Sequence, residues 1–274
     1  MRGLEQETDV RDFVSGPKHG PGSRSGTLVL ILTAILYQIC LGNPIVLKDV
    51  TRETGITFVH TDGSSGKRYI LETITAGLAL FDYDNDGDID IYFLNGAALK
   101  GTQFEKPPRN ELYRNDGNWK FTDVTEKAGV GDIGYGLGVV AGDYDNDGDL
   151  DIYLNNYGPN VLYRNNGDGT FTDVTKQAGV DNGLHTGAGT CFLDMDKDGD
   201  LDLYAANYID FSYDKHVTTT ASGFPIYVGP SFFPAVPDTL YRNNGDGTFT
   251  DVSKSSGIAE HASYGMGMVC GDYD

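Results

Sequence analysis

The chain has 274 residues, with 40 acidic against 20 basic side chains and a formal charge of −20. That balance excludes a phosphate-binding surface for nucleic acid, which needs a basic face. With 39% hydrophobic residues, 17 Tyr, 13 Phe and 37 Gly, the composition suits a folded protein of many short strands joined by tight turns.

Residues 1–26 form a polar N-terminal segment, expected to be disordered, with Arg2, Arg11, Lys18 and Arg24. Segment 27–42 holds an uncharged run from Leu28 to Leu41, LVLILTAILYQICL. Fourteen residues fall short of the roughly 20 that a membrane helix needs. The run fits a signal-peptide core, with Gly42 as the small residue before cleavage. An uncleaved anchor formed by residues 28–41 is the alternative. Either way the rest of the chain is expected outside the cytoplasm: secreted, periplasmic or at the cell surface.

From residue 43 to 274 the chain repeats. FDYDNDGDIDIYFLNG from Phe81 returns as GDYDNDGDLDIYLNNYG from Gly142 and LDMDKDGDLDLYAANY from Leu193, and GDYD begins a fourth copy at Gly271. A second unit, LYRNDGNWKFTDVTEKAGV from Leu112, returns from Leu162 and from Leu240. The two alternate, with a period of 51 to 78 residues between acidic clusters. A Gly-rich apolar stretch precedes each cluster, a β-branched and aromatic stretch follows it, and Asn-Asn-Gly-Asp-Gly marks a hairpin. Each repeat therefore reads as four short antiparallel strands, the unit of a β-propeller blade. The fold class expected is all-β, with about three and a half blades. Asp49-Val50-Thr51 with Gly55-Ile56 copies the end of a repeat and in a complete ring would supply an outer strand. The third repeat carries an insertion, Asp210 to Pro237, rich in aromatics, Gly and Pro. It is either a binding loop or a surface loop packed on its own rings.

The acidic loops carry the chemistry. The first places Asp82, Asp84, Asp86, Asp88 and Asp90 at positions 1, 3, 5, 7 and 9, with Gly87 at position 6. The second has Asp143, Asp145, Asp147, Asp149 and Asp151; the third Asp194, Asp196, Asp198, Asp200 and Asp202; the truncated fourth begins with Asp272 and Asp274. Five carboxylates within nine residues repel unless a cation lies among them. Alternate side chains can wrap a hard dication that wants six to eight oxygens at about 2.3–2.6 Å. The expected cofactor is Ca²⁺, three complete sites and a fourth truncated, with Asp88, Asp149 and Asp200 ligating mainly through their carbonyls. Position 12 is Phe93, Leu154 or Ala205, so the bidentate Glu of an EF-hand is missing. Oxygen-only ligands disfavour zinc.

Other features point nowhere specific. The Asn165–Gly169 and Asn243–Gly247 turns are read as turns, ahead of a second ion site. Cys191 and Cys270 occupy matching parts of two repeats; two small buried strand residues is the preferred reading, ahead of a disulfide. The histidines, His19, His60, His185, His216 and His261, show no triad or metal spacing. His60 with Glu72 is the best catalytic pair, and a structural hydrogen bond is preferred for it.

The loops and the LYRNNGDGTFTDV hairpins resemble FG-GAP/VCBS repeats, the blades of integrin-α-type propellers. Phe58-Val59-His60, Glu72, Gly77 and the segment Tyr227–Ser253 are similar to the CRTAC1/ASPIC-UnbV family. The resemblance implies a secreted calcium-binding propeller of seven blades, often followed by an ASPIC/UnbV domain. The expected function is a non-enzymatic ligand-binding or adhesion module, with a protein or glycan docked on a loop face. The alternatives are a propeller domain of a secreted enzyme acting on polysaccharide or lipid, and a scaffold for an ASPIC/UnbV domain.

Overall fold

The computed structural model describes residues 46–271. The polar lead, segment 27–42, Asp272 and Asp274 lie outside the described residues. The chain divides into two units between Asp49 and Val50; of the first, residues 46–49 are described and hold no helix or strand. No helix among the described residues is long and apolar enough to cross a membrane.

The second unit is built from three four-stranded antiparallel sheets, as the repeats require. Blade 1 is β1 (Leu78–Phe81), β2 (Asp90–Phe93), β3 (Glu111–Asn115) and β4 (Phe121–Asp123), in that order. Blade 2 is β5 (Tyr135–Gly142), β6 (Asp151–Tyr157), β7 (Val161–Asn165) and β8 (Phe171–Asp173). Blade 3 starts with β9 (Gly187–Leu193) and β10 (Asp202–Asn207). It adds two hairpin strands of the insertion, β11 (Thr219–Ala221) and β12 (Phe224–Ile226), and the short β13 (Val236–Pro237). It then finishes its own sheet with β14 (Thr239–Asn243) and β15 (Phe249–Asp251).

The Asp-Val-Thr that ends each repeat closes the blade. Asp123 Oδ1 accepts the Thr125 N–H at 2.9 Å, and the Thr125 hydroxyl accepts the Leu112 N–H of β3 at 2.9 Å. Asp173 with Thr175, and Asp251 with Ser253, repeat the arrangement. A single helical turn follows, Thr125–Ala128 or Thr175–Ala178, stopped by a left-handed Gly129 or Gly179. Thr51–Thr54 and left-handed Gly55 form the same turn before blade 1.

Neighbouring blades meet at apolar faces. Between blades 1 and 2 lie Tyr83, Tyr92, Leu94, Leu112, Ile152 and Leu154, all buried; between 2 and 3 lie Tyr144, Tyr153, Leu162, Leu203 and Tyr241. The innermost strands approach so closely that glycine is obligatory: a Cβ on Gly138 would sit 2.0 Å from the Ala188 carbonyl oxygen.

Cys191 and Cys270 form a disulfide, with Cα atoms 6.4 Å apart. This corrects the expectation of two unpaired buried strand thiols: Cys191 is buried in β9, but Cys270 is exposed and outside any strand. Its cause is the same close approach. Gly189 donates its N–H to Met266 O at 2.5 Å, which lays the start of the fourth repeat alongside β9.

The insertion does more than pack on itself. Phe211 and Phe233 are buried with Tyr69, Ile70 and Leu71, which lie ahead of blade 1. Tyr213 packs edge-on to Tyr69 at 5.0 Å.

Candidate metal centres

Each acidic loop joins the first two strands of its blade, and its shape follows from three local features. Gly87, Gly148 and Gly199 at position 6 have φ of 91°, 94° and 95°, a conformation that glycine adopts at little cost. The position-1 carboxylate then folds back on the loop: Asp82 Oδ1 and Oδ2 accept the N–H groups of Asp86 and Gly87 at 3.1 and 2.9 Å. Asp143 and Asp194 do the same at positions 5 and 6 of their loops. The position-5 carboxylate accepts the N–H of position 7, as Asp86 does from Asp88 at 2.9 Å.

Position 9 anchors the loop. Asp90, Asp151 and Asp202 are buried, and each carboxylate bridges two segments. Asp151 Oδ2 accepts the Tyr144 N–H at 3.1 Å, and Oδ1 accepts the Asn165 N–H at 2.8 Å. Burial pushes the Asp151 carboxyl up to about 7 and Asp90 up to about 6, against the opposing effect of the two amide donors. Asp202 is raised for the same reason.

Carboxylate oxygens converge in every loop. Asp82, Asp84 and Asp86 offer oxygens within 4.8 Å of one another, as do Asp143, Asp145 and Asp151, and Asp194, Asp196 and Asp202. These groups could hold a metal ion. The position-7 side chains Asp88, Asp149 and Asp200 are in none of the groups, and neither are Asp90, Asp147 and Asp198. At position 3, Asp84 Oδ1 and Asp145 Oδ1 are shielded from solvent and have no hydrogen-bond partner. Burial raises both carboxyls, and the neighbouring carboxylates at position 5 add to it. A buried anionic oxygen without a donor is costly, and an oxygen-seeking cation is the group that fits.

Several contributors were not visible in the sequence. The Asn that ends the third strand bonds across the blade junction: Asn165 Nδ2 donates to Tyr83 O, and Asn243 Nδ2 to Tyr144 O, both at 2.8 Å. The position-4 asparagines also reach the next blade, Asn85 Nδ2 to Asp149 Oδ1 at 2.6 Å and Asn146 Nδ2 to Asp200 Oδ1 at 2.7 Å. The hairpin aspartates stay within their turns; Asp168 Oδ1 accepts the Thr170 N–H at 3.0 Å. His60 and Glu72 share no hydrogen bond. His60 Nε2 lies 3.3 Å from Thr75 Oγ1, whereas Glu72 accepts from Tyr227 Oη at 2.7 Å and from Ser64 and Tyr69.

The family model for FG-GAP-like repeats matches residues 82–154 and again 143–205, covering all three loops. This is an FG-GAP-like repeat protein. The chain is similar to cartilage acidic protein 1: it is 33% identical to the protein of Mus musculus over 255 residues, which is 85% of this chain and 35% of the relative. The Homo sapiens protein is 34% identical with 85% and 34% covered, and that of Xenopus tropicalis 34% with 85% and 35%. This FG-GAP-like chain thus spans about a third of the length of these relatives. A solved structure of an Agrocybe aegerita lectin, titled for recognition of non-reducing terminal N-acetylglucosamine, is 21% identical with a TM-score of 0.30 over 65% of this chain and 51% of that one. That level is too low to carry fold or ligand across.

Proposed function

We propose that the three loops bind Ca²⁺ as a structural ion and that the blades belong to an extracellular, non-enzymatic ligand-binding or adhesion module. One observation carries the calcium reading: the position-3 carboxylates Asp84 and Asp145 each belong to a group of converging carboxylates and each keep one buried oxygen without a hydrogen-bond partner. The ligands are the side chains of positions 1, 3, 5 and 9 and the carbonyl of position 7, an all-oxygen set that suits calcium. Three dications would reduce the formal charge from −20 to −14. The ion neutralises the loop and fixes the turn between the first two strands; no bond is made or broken. A disulfide supports an oxidising compartment, and the likeness to cartilage acidic protein 1 agrees with an extracellular setting. The protein or glycan partner would dock on a loop face.

Isothermal titration of the folded chain tests this. Uptake of three Ca²⁺, with Mg²⁺ competing weakly, is expected. A folded chain that takes up no calcium, and whose melting is unmoved by chelator, overturns it.

A further inference from the structure

The position-4 asparagines suggest how three separate loops could act together. Asn85 lies between Asp84 and Asp86 and has φ 57°; Asn146 lies between Asp145 and Asp147, also at 57°. This left-handed conformation is one that asparagine tolerates better than most residues. It points each side-chain amide out of its own loop and into the next. Asn85 Nδ2 reaches Asp149 Oδ1 at 2.6 Å, and Asn146 Nδ2 reaches Asp200 Oδ1 at 2.7 Å. Asn146 Nδ2 also reaches the Gly199 carbonyl at 3.4 Å, but in both pairs the shorter bond goes to position 7, whose carboxylate is outside the cluster of carboxylate oxygens and whose N–H is already held by position 5, Asp147 Oδ1 at 2.9 Å and Asp198 Oδ1 at 2.9 Å.

We propose that the loops load calcium cooperatively, each passing order to the next through this asparagine–aspartate hydrogen bond. The proposal rests on the calcium reading above. An ion bound by positions 3 and 5 fixes the backbone on both sides of position 4 and so aims its amide. In the next loop that amide holds the side chain of position 7, the residue whose carbonyl is the proposed backbone ligand. The second ion then meets a loop already partly ordered, and shared ordering of this kind is a coupling free energy between sites. It is reciprocal, so filling the second loop tightens the first by the same factor. The relay has a head: among the described residues no side-chain donor reaches Asp88 of loop 1. Loop 3 carries Lys197 at position 4, also left-handed at 60°.

Site couplings in proteins run from about 5- to 150-fold, and a single hydrogen bond belongs near the lower end. Emptying loop 1 with Asp82→Asn and Asp84→Asn should weaken uptake at loop 2 by about 5-fold in calorimetric titration of the whole chain. Asn85→Gly keeps the left-handed backbone, removes the amide, and should give the same loss while loop 1 still binds. Asp149→Ala breaks the link from the other side and should not add to Asn85→Gly, as residues sharing one interaction behave in a double-mutant cycle. Amide exchange at position 149, read in the same samples, should quicken in each variant. Three independent uptakes unaffected by Asn85→Gly and Asp149→Ala overturn this proposal and leave the calcium reading standing. A folded chain with no uptake at any loop overturns both.

Discussion

Blades 1 and 2 are built from the same repeat, yet they meet different surroundings on their leading faces. Val139, Ala141 and Leu150 of blade 2 pack into the cluster shared with blade 1. Their counterparts on blade 1, Leu78, Leu80 and Ile89, are 51%, 60% and 52% exposed. The repeat therefore specifies an apolar surface for a neighbour on each side, and burial comes from stacking and not from the blade alone. Blade 2, with neighbours on both sides, is the tightly specified one.

Substitutions at matched positions should make that contrast measurable. The largest effect is expected at the inner strands. Gly138→Ala puts a methyl 2.0 Å from the Ala188 carbonyl, whereas at Gly77 the added carbon meets only the flexible Leu94 side chain at 3.1 Å and the Leu137 carbonyl at 3.9 Å. The first change should cost about 3 kcal/mol or more in urea denaturation, the second under about 1 kcal/mol. Equal costs would mean that blades 2 and 3 do not approach as described. Next comes the apolar face. Leu154→Ala, fully buried between blades 1 and 2, should cost about 2–5 kcal/mol. Leu80→Ala on the open face should stay within about 0.5 kcal/mol.

The ions give a third contrast. In calcium at about 100 times its dissociation constant, Asp145→Asn should lose one ion and about 2.7 kcal/mol. In chelator the same variant should be at least as stable as the parent, because it removes a buried carboxylate oxygen that has no partner. A loss of equal size in both conditions would assign Asp145 a role independent of metal.

The smallest effect is on pH. With calcium removed, Asp151 is held at about 7 and Asp90 at about 6, against about 3.9 in an unfolded chain. The folded form then binds more protons than the unfolded form between roughly pH 4 and 7, so stability falls as pH rises through that window. The fall should extend to higher pH in blade 2 than in blade 1, and calcium should flatten it. Urea midpoints that rise with pH in chelator would contradict the burial of these carboxyls.

Repetition made much of this legible. Comparing copies isolated the loop, its glycine at position 6 and the strands on either side, because each is fixed by local backbone needs. The same comparison could not show that Asp90, Asp151 and Asp202 bridge two backbone segments, since that depends on where the third strand ends in space. It was equally silent on Asn85 and Asn146, whose partners belong to another blade. The disulfide stood second to a pair of buried thiols because matching positions in two repeats say nothing of distance between them. The insertion announced itself by its aromatics, but its contact with Tyr69 joins segments far apart in sequence.

That last contact bears on how the molecule folds and comes apart. Tyr227 bonds Glu72 across 155 residues, and His216 meets the Lys67 carbonyl across 149. A linear array can fray from either end, one unit at a time. Here the segment ahead of blade 1 and the insertion of blade 3 are also strapped directly together, so loosening either is felt by the other without passing through blade 2. Such long-range closure should slow folding relative to a simple stack and sharpen unfolding into a single transition.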